Sequence, residues 1–488
     1  MPISFGRLAA TVLCAGALAA TVCAGAATAE QSYPDALLTT PMTPQTVAAG
    51  SEADAYAQGV QAYVWGYPLV RMERIARQYT DAPDPNPPTG YRAALNRIGW
   101  ATELATAASK DMPTANNDTF YMSAVVKLDQ PYILSVPDTH DRYYVVDVFN
   151  MWQELQHYVG RRVTGTQAGR FAIVPPGWEG KLPADVKRLD VSTGKVWLWG
   201  RLRLKDGEDK AQVLALQQQF TLVPLSDLDT AAKQPGTATL APLPDIAGDD
   251  LGFFVHLAAA LKDNTVKPED KALFAQFARI GLDANGFDAA KLTPERRAGL
   301  LRALKDGPAV AASAFATAAV LRNGWSWATG LDNFGYDYPL RALVSGPYLG
   351  GQGEKEAMYP LRFTDAAGQV LTGARTYTVK FDKPPPVNAF WSLTVYRADD
   401  KLLVENPIAR YKIGGDTRGL LTAPDGSVTI RLQHAPTDGK APDNWLPTPE
   451  GPFYLVLRLY QPKEEVLNGS TALPQVVSDA PPDAATDK

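Results

Sequence analysis

Three carboxylates stand in or beside the first β-like stretches of the chain: Asp118, Asp147 and Glu154. Two carboxylates set across a sugar act as acid and nucleophile at roughly 5–5.5 Å, or as acid and base at roughly 6.5–9.5 Å. These three are therefore the candidate catalytic groups. Amides and rings surround them: Asn116, Asn117 and Tyr121 before and in the first strand, and Trp152 at a strand end. Arg341, Asn406, Arg410 and Trp445 follow later. Aromatic faces stack on flat or C–H-rich ligands, while Asn, Asp and Arg bond polar substituents. With Asp118, these eight residues form the candidate ligand-binding set. Each cluster also has a structural use, since Asx side chains cap turns and buried Tyr and Trp need hydrogen-bond partners.

Other chemistries lack their residues. Gly346–Gly353 is glycine-rich but has no Lys-Ser/Thr to grip a phosphate, and reads as a flexible surface loop. No G-x-S-x-G elbow occurs. The four histidines, His140, His157, His256 and His434, show no metal-binding spacing. Neither a metal nor a cofactor is predicted.

The elements that must position the candidates follow from pattern. Arg7, the apolar run from Leu8 to Cys23 and Ala27-Thr28-Ala29 read as a signal peptide cleaved after Ala29. Both cysteines, Cys14 and Cys23, fall inside it, so the expected product has no thiol and is periplasmic or secreted. The net charge is -5 with no basic block, which argues against nucleic acid as a partner. No later apolar run is long enough for stable membrane insertion. Nothing in the sequence sets the oligomeric state.

An extended arm precedes a helix predicted over Glu52–Gln78, started by Ser51 and kinked or split at Pro68. A short helix is expected over Ala101–Ser109. From Asn116 the period changes to two. Strands are predicted at Tyr121–Leu128, Tyr132–Val136, Tyr143–Phe149, Phe171–Val174 and Val196–Leu204. A Pro/Ala/Thr linker at Gly236–Asp245 leads into helices over Leu251–Phe287 and Pro294–Leu321. Strands return at Arg375–Phe381, Ala389–Tyr396, Val428–Leu432 and Tyr454–Tyr460. Trp391 and Tyr396 should share a strand but point to opposite faces, one into a core and one toward the helices or the first β-domain.

Several blocks, in order, resemble one bacterial family. They are Tyr63-Val-Trp-Gly-Tyr-Pro-Leu69, Asn116-Asn-Asp-Thr119, Leu134-Ser-Val-Pro-Asp-Thr139, Asn388-Ala-Phe-Trp-Ser-Leu-Thr-Val-Tyr396 and Asn444-Trp-Leu-Pro447. The chain resembles exported proteins that pair a domain of unknown function 1254 with a C-terminal domain of unknown function 1214. The resemblance implies helices around two β-domains, the second like a jelly roll, and supplies no catalytic residues.

The expected fold is α+β, with a helical N-terminal arm and a helical insertion around two β-domains, the C-terminal one a jelly-roll-like sandwich. The expected boundaries are a signal peptide at 1–29, an arm and helical segment at 30–115, and a β-domain at 116–235. A helical segment at 236–334, a sandwich at 335–470 and a flexible tail at 471–488 complete them. The leading functional expectation is binding, with turnover as an extension, of a small polar or aromatic organic ligand such as a sugar. The alternatives are a cofactor-free, carboxylate-dependent hydrolase or lyase, and an envelope interaction protein with no small ligand.

Overall fold

Along Val196–Arg203, side chains alternate between two kinds of surroundings. Val196, Leu198 and Leu202 pack into one apolar cluster, and Trp197 and Trp199 into another. Arg201 and Arg203 continue the second face, because successive side chains of a strand point to opposite sides. The same division recurs in the C-terminal half. Leu455, Leu457 and Leu459 face one core, while Tyr454, Val456, Arg458 and Tyr460 face the other way. A strand buried on both faces, one apolar and one carrying rings and charges, calls for covering layers on both sides.

The computed structural model describes residues 36–110, 112–208, 210–228, 239–436 and 441–479. The predicted leader and the first residues of the predicted Gly236–Asp245 linker lie outside them. The chain divides into a unit ending at Ala48 and a unit from Ala49 onward. The described part of the first holds the helix Ala36–Thr39 and the start of the helix Pro44–Thr80. Thr43 caps that start, its hydroxyl accepting the Thr46 N–H at 3.2 Å, with Pro44 at the first helical position, where a missing N–H costs nothing. The helix thus begins before the predicted Ser51. It also runs through Pro68 as one element.

In the second unit, one sheet orders its strands Gly99–Trp100, Thr119–Lys127, Lys195–Arg203, Tyr144–Asn150 and Leu155–Gly160. Behind it lies a four-stranded sheet of Val186–Asp190, Gly169–Val174, Tyr132–Val136 and Thr221–Pro224. Met122, Val126, Leu134, Phe171, Ile173 and Leu198 fill the space between them. The C-terminal half repeats the plan. A seven-stranded sheet centres on the antiparallel pair Val387–Arg397 and Phe453–Pro462. A four-stranded sheet of Trp445–Pro447, Val428–Gln433, Tyr377–Phe381 and Val476–Ser478 packs on it through Trp391, Leu393, Ile430, Leu457 and their neighbours. Both halves are open two-sheet sandwiches.

A third apolar cluster joins them. It includes Tyr121, Val125, Trp197 and Trp199 of the first sandwich, Tyr396, Tyr454 and Val456 of the second, and Trp65, Leu69 and Ile75 of the long helix. The large sheets therefore share one interior, closed by helices. Trp391 and Tyr396 divide as expected. Trp391 lies in the core of the C-terminal sandwich, whereas Tyr396 enters the shared interior and donates its hydroxyl to the Ala115 carbonyl at 2.5 Å.

Two expectations are corrected. Residues 101–109 form turns rather than a helix; the carbonyls of Ala101 and Ala105, which a helix would offer to its own N–H groups, accept from the side chains of Gln217 and Asn117. The segment from 471 is not a loose tail as far as Asp479. Val476–Ser478 forms an edge strand on Tyr377–Val379, and Val476 is fully buried. Residues 480–488 lie outside the described residues.

Trp391→Ala should lower stability by about 3–5 kcal/mol in chemical denaturation, as for a large ring removed from a packed core. A loss under about 1 kcal/mol would place the ring at the surface.

Candidate functional site

The strand faces that meet between the sandwiches carry charges as well as rings. On the N-terminal side Asp147 and Arg201 pair at 2.6 Å, and Gln352 donates to both Asp147 oxygens at 3.0 Å. Burial pushes the Asp147 carboxyl up to about 7, against the opposing pull of Arg201 and Gln352. Across the seam, Asp118 accepts the Ser392 hydroxyl at 2.7 Å and pairs with Lys412 at 3.1 Å. Burial alone would lower the Lys412 ammonium, but Asp118 and Asp416 hold it above its ordinary value. Arg203 pairs with Asp416 at 2.8 Å. Tyr143 and Arg162 converge on Glu356 at 2.9 and 2.5 Å. Of these partners Arg203, Ser392 and Lys412 lie in strands, whose alternation aims them inward, while Asp118, Asp416 and Glu356 lie in turns beside strands.

Between these pairs lies a cavity of about 480 Å3. The N-terminal sandwich supplies Asn116, Tyr121, Trp199 and Arg201; the C-terminal sandwich supplies Tyr359, Tyr454, Arg458 and Tyr460. The long helix adds Arg71, Ile75, Gln78 and Tyr79, and the loop from Gly346 to Gly351 closes one side. Tyr121 stacks on Trp199 with ring centres 4.8 Å apart. Burial raises the phenols of Tyr359 and Tyr454 to about 12, so both stay protonated and able to donate. The glycine-rich loop is thus not a free surface loop. Its Gly350 carbonyl accepts from Arg201 at 3.0 Å. Gly350 has φ +69°, and a Cβ there would come within 2.9 Å of the Trp199 ring, so a side chain would intrude on the cavity wall.

Of the predicted site residues, Asn116 and Tyr121 line this cavity. The Asn116 amide oxygen also holds the turn, accepting from Asp118 N–H and Thr119 N–H at 2.9 Å each. Asn117 donates to the Ala105 carbonyl at 2.6 Å. Asp118 is behind the wall, in its pair with Lys412. Trp152, Glu154 and Arg341 come together elsewhere, against the helices. Arg341 donates to Glu154 at 3.2 Å and to the Trp65 carbonyl at 3.0 Å, Lys267 also pairs with Glu154, and Trp152 packs on Trp65. Asn406, Arg410 and Trp445 form a third group. Asn406 clamps its own loop through Arg410 N–H and the Val404 and Arg410 carbonyls. Arg410 bonds the Trp445 carbonyl at 2.9 Å, and the Trp445 indole bonds that of Gln433 at 2.9 Å.

The histidines bond separate partners: His157 the Asp190 carbonyl, His256 that of Pro244 and His434 that of Thr448. Among the described residues, no three His, Asp or Glu side chains group as a metal site, and no helix is long and apolar enough to cross a membrane.

A family model described as protein of unknown function DUF1254 matches residues 95–224, and one described as protein of unknown function DUF1214 matches residues 356–464. The chain carries this pair of domains in that order. The cavity wall draws on both. Among solved structures, a crystallised protein of Vibrio parahaemolyticus is 26% identical, with a TM-score of 0.67, over 87% of this chain and 100% of that one. An uncharacterized Burkholderia cenocepacia protein is 11% identical, with a TM-score of 0.42, over 89% and 96% of the two chains. No curated protein matches.

Arg201, Arg458, Tyr460, Trp199 and Arg71 were missed as site residues. For Arg201 and Arg458 the signal is an arginine placed at period two inside otherwise apolar strands, as in Trp197-Leu-Trp-Gly-Arg201 and Leu455-Val-Leu-Arg458; Arg71, on the long helix, carries no such signal.

The helix that lends Arg71 and Tyr79 to the cavity is anchored by Glu73. Its carboxylate takes Lys195 at 2.8 Å, Arg77 at 2.5 Å and the Asn264 amide at 2.7 Å. Burial raises its pKa, but Lys195, Arg77 and Asn264 outweigh that and leave it below the ordinary value. A depressed carboxylate stabilises fully above its unfolded pKa of about 4.3 and loses that contribution as the pH falls through its lower folded value. Glu73→Gln should therefore cost about 3–5 kcal/mol at pH 7, since it strands the buried Lys195. The deficit relative to the parent should shrink below about pH 4. Urea denaturation at both pH values measures it, and an equal deficit at each contradicts the assignment.

Proposed function

We propose that this is an exported protein whose function is to bind a small organic molecule with a flat or aromatic body in the cavity between its sandwiches. The observation that carries this reading is the cavity itself. Its volume of about 480 Å3 falls in the roughly 300–1,000 Å3 range of small-molecule sites, which are walled by apolar and aromatic groups with a few convergent polar ones. Tyr79, Tyr121, Trp199, Tyr359 and Tyr454 give the rings; Gln78 and Asn116 give amides. Export rests on the basic, apolar and small-residue order of the first thirty residues.

Carboxylate-dependent hydrolysis has no comparable support. Asp118, Asp147 and Glu154 each face a cation, and none of them lines the cavity.

Ala398 lies exposed at the rim of the cavity. In a thermal-shift screen against sugars, aromatic acids and neutral aromatics, at least one class should raise the melting temperature by several degrees, because a ligand of the native state stabilises it. The same compound should quench the fluorescence of Trp199. Ala398→Trp should fold like the parent and lose the response. A panel without a hit, or a response that survives Ala398→Trp, would show that the cavity is not the site.

A further inference from the structure

The cavity is lined by four cationic side chains, Arg71, Arg201, Lys401 and Arg458, and among the described residues by no Asp or Glu. The protein as a whole carries a formal charge of -5, so the local sign opposes the global one. Arg201 is matched by Asp147. Among the described residues Arg458 has no ion pair; Asp118, which pairs with Lys412, acts on it only through space. Arg458 is 3 % exposed, lies over the Tyr396 ring at 5.4 Å, and donates to Thr394 Oγ1 at 3.1 Å and to the Thr114 carbonyl at 2.8 Å. A guanidinium has five N–H donors and keeps its charge at any physiological pH. Neither of its acceptors is charged.

Other buried cations of the molecule face carboxylates: Lys195 meets Glu73, Arg341 meets Glu154 and Lys412 meets Asp118. Arg362 is buried without such a pair, but the carbonyls of Asn323, Thr364 and Asp365 surround it. Arg458 has neither arrangement and borders open space. Beside it the Tyr460 hydroxyl is buried with no hydrogen-bond partner, although Tyr460 also lines the cavity. A buried charge with no carboxylate in direct contact is costly, and so is an unpaired hydroxyl. An anion in the cavity would answer both.

We propose that the ligand is an aromatic carboxylate: its ring system lies against Trp199 and the tyrosines, and its carboxylate is held by Arg458 and Tyr460. This rests on the cavity being a binding site and adds the charge and class of what it binds. Arg458 receives the carboxylate in the fork geometry that suits a planar anion. Arg71, half-buried at the wall with no ion-pair or hydrogen-bond partner among the described residues, and the exposed Lys401 at the rim, draw the anion in.

The experiment uses the full-length protein and three probes of one shape: 2-naphthoate, its neutral amide 2-naphthamide, and 2-naphthyl phosphate. Binding is followed by calorimetric titration. The parent should prefer naphthoate to naphthamide by at least about ten-fold, the worth of one charge-assisted contact. Arg458→Gln should bring that ratio near one while naphthamide binding persists. If Arg458→Gln does not fold, Arg71→Gln carries the test, and should reduce the ratio several-fold with unchanged melting temperature. Naphthamide binding as tightly as naphthoate to the parent, or a ratio unchanged in the variants, overturns the anion while leaving the binding site standing. Tighter binding of naphthyl phosphate overturns the carboxylate. No binding of any probe overturns the site and the anion together.

Discussion

A charge removed from water must be answered by an opposite charge or by hydrogen bonds, and the face-to-face docking of two sandwiches removes many at once. Strand alternation sends Arg201 and Arg203 from one sheet, and Arg458 from the other, into the space between the sandwiches, where each is buried. Asp147 pairs with Arg201 and Asp416 with Arg203, while Asp118 pairs with Lys412 and Glu356 with Arg162. Desolvating an ion costs several kcal/mol even after relaxation. The pairing therefore decides how the two halves can meet. Two apolar faces can slide past one another, but faces studded with matched charges dock in one register.

The cavity is a consequence of the same seam. Rings of Trp199, Tyr121, Tyr359 and Tyr454 are too bulky to interdigitate fully across it, and Gly350 lets the loop approach Trp199 without filling the gap. The wall is stiff because its members are tied from behind: Arg201 by Asp147 and Gly350, Tyr359 by Gln352 at 3.0 Å, Tyr454 by Thr114 at 2.7 Å. A site whose polar groups are already oriented loses little freedom when a ligand enters. Among the described residues of the wall, Arg458 has no ion pair, the Tyr460 hydroxyl has no hydrogen-bond partner, and Arg71 has neither.

The sequence made the long central strands legible, but not short or edge strands such as Leu155–Gly160, Val186–Asp190, Trp325–Ala328 and Val476–Ser478. Tyr132–Val136 was placed as observed, and Val387–Arg397 and Phe453–Pro462 extend the predicted segments by a few residues. Trp391 and Tyr396 could be sent to opposite faces because alternation is local. The candidate site was read less well for a physical reason. Asn116, Asp118, Trp152 and Arg341 were grouped by chemical type, yet which polar residues converge depends on pairings between residues far apart in the chain, such as Asp118 with Ser392 and Lys412. The helix predicted at Ala101–Ser109 failed on the same ground, since the distant Gln217 and nearby Asn117 side chains took the Ala101 and Ala105 carbonyls. Arginine at period two within apolar strands was a local signal, and it marked the seam.

A double-mutant cycle across the seam tests this account most directly. Asp118 belongs to the first sandwich and is buried, Lys412 to the second and is 10% exposed, and the two are 3.1 Å apart. Asp118→Asn and Lys412→Met, separately and together, would be compared by chemical denaturation. If buried charge pairing fixes the docking, each single change costs about 3 kcal/mol or more and the double costs much less than their sum, a coupling of about 2 kcal/mol or more. A coupling below about 0.5 kcal/mol, the additivity of distant sites, would mean that the two halves are not held by these charges.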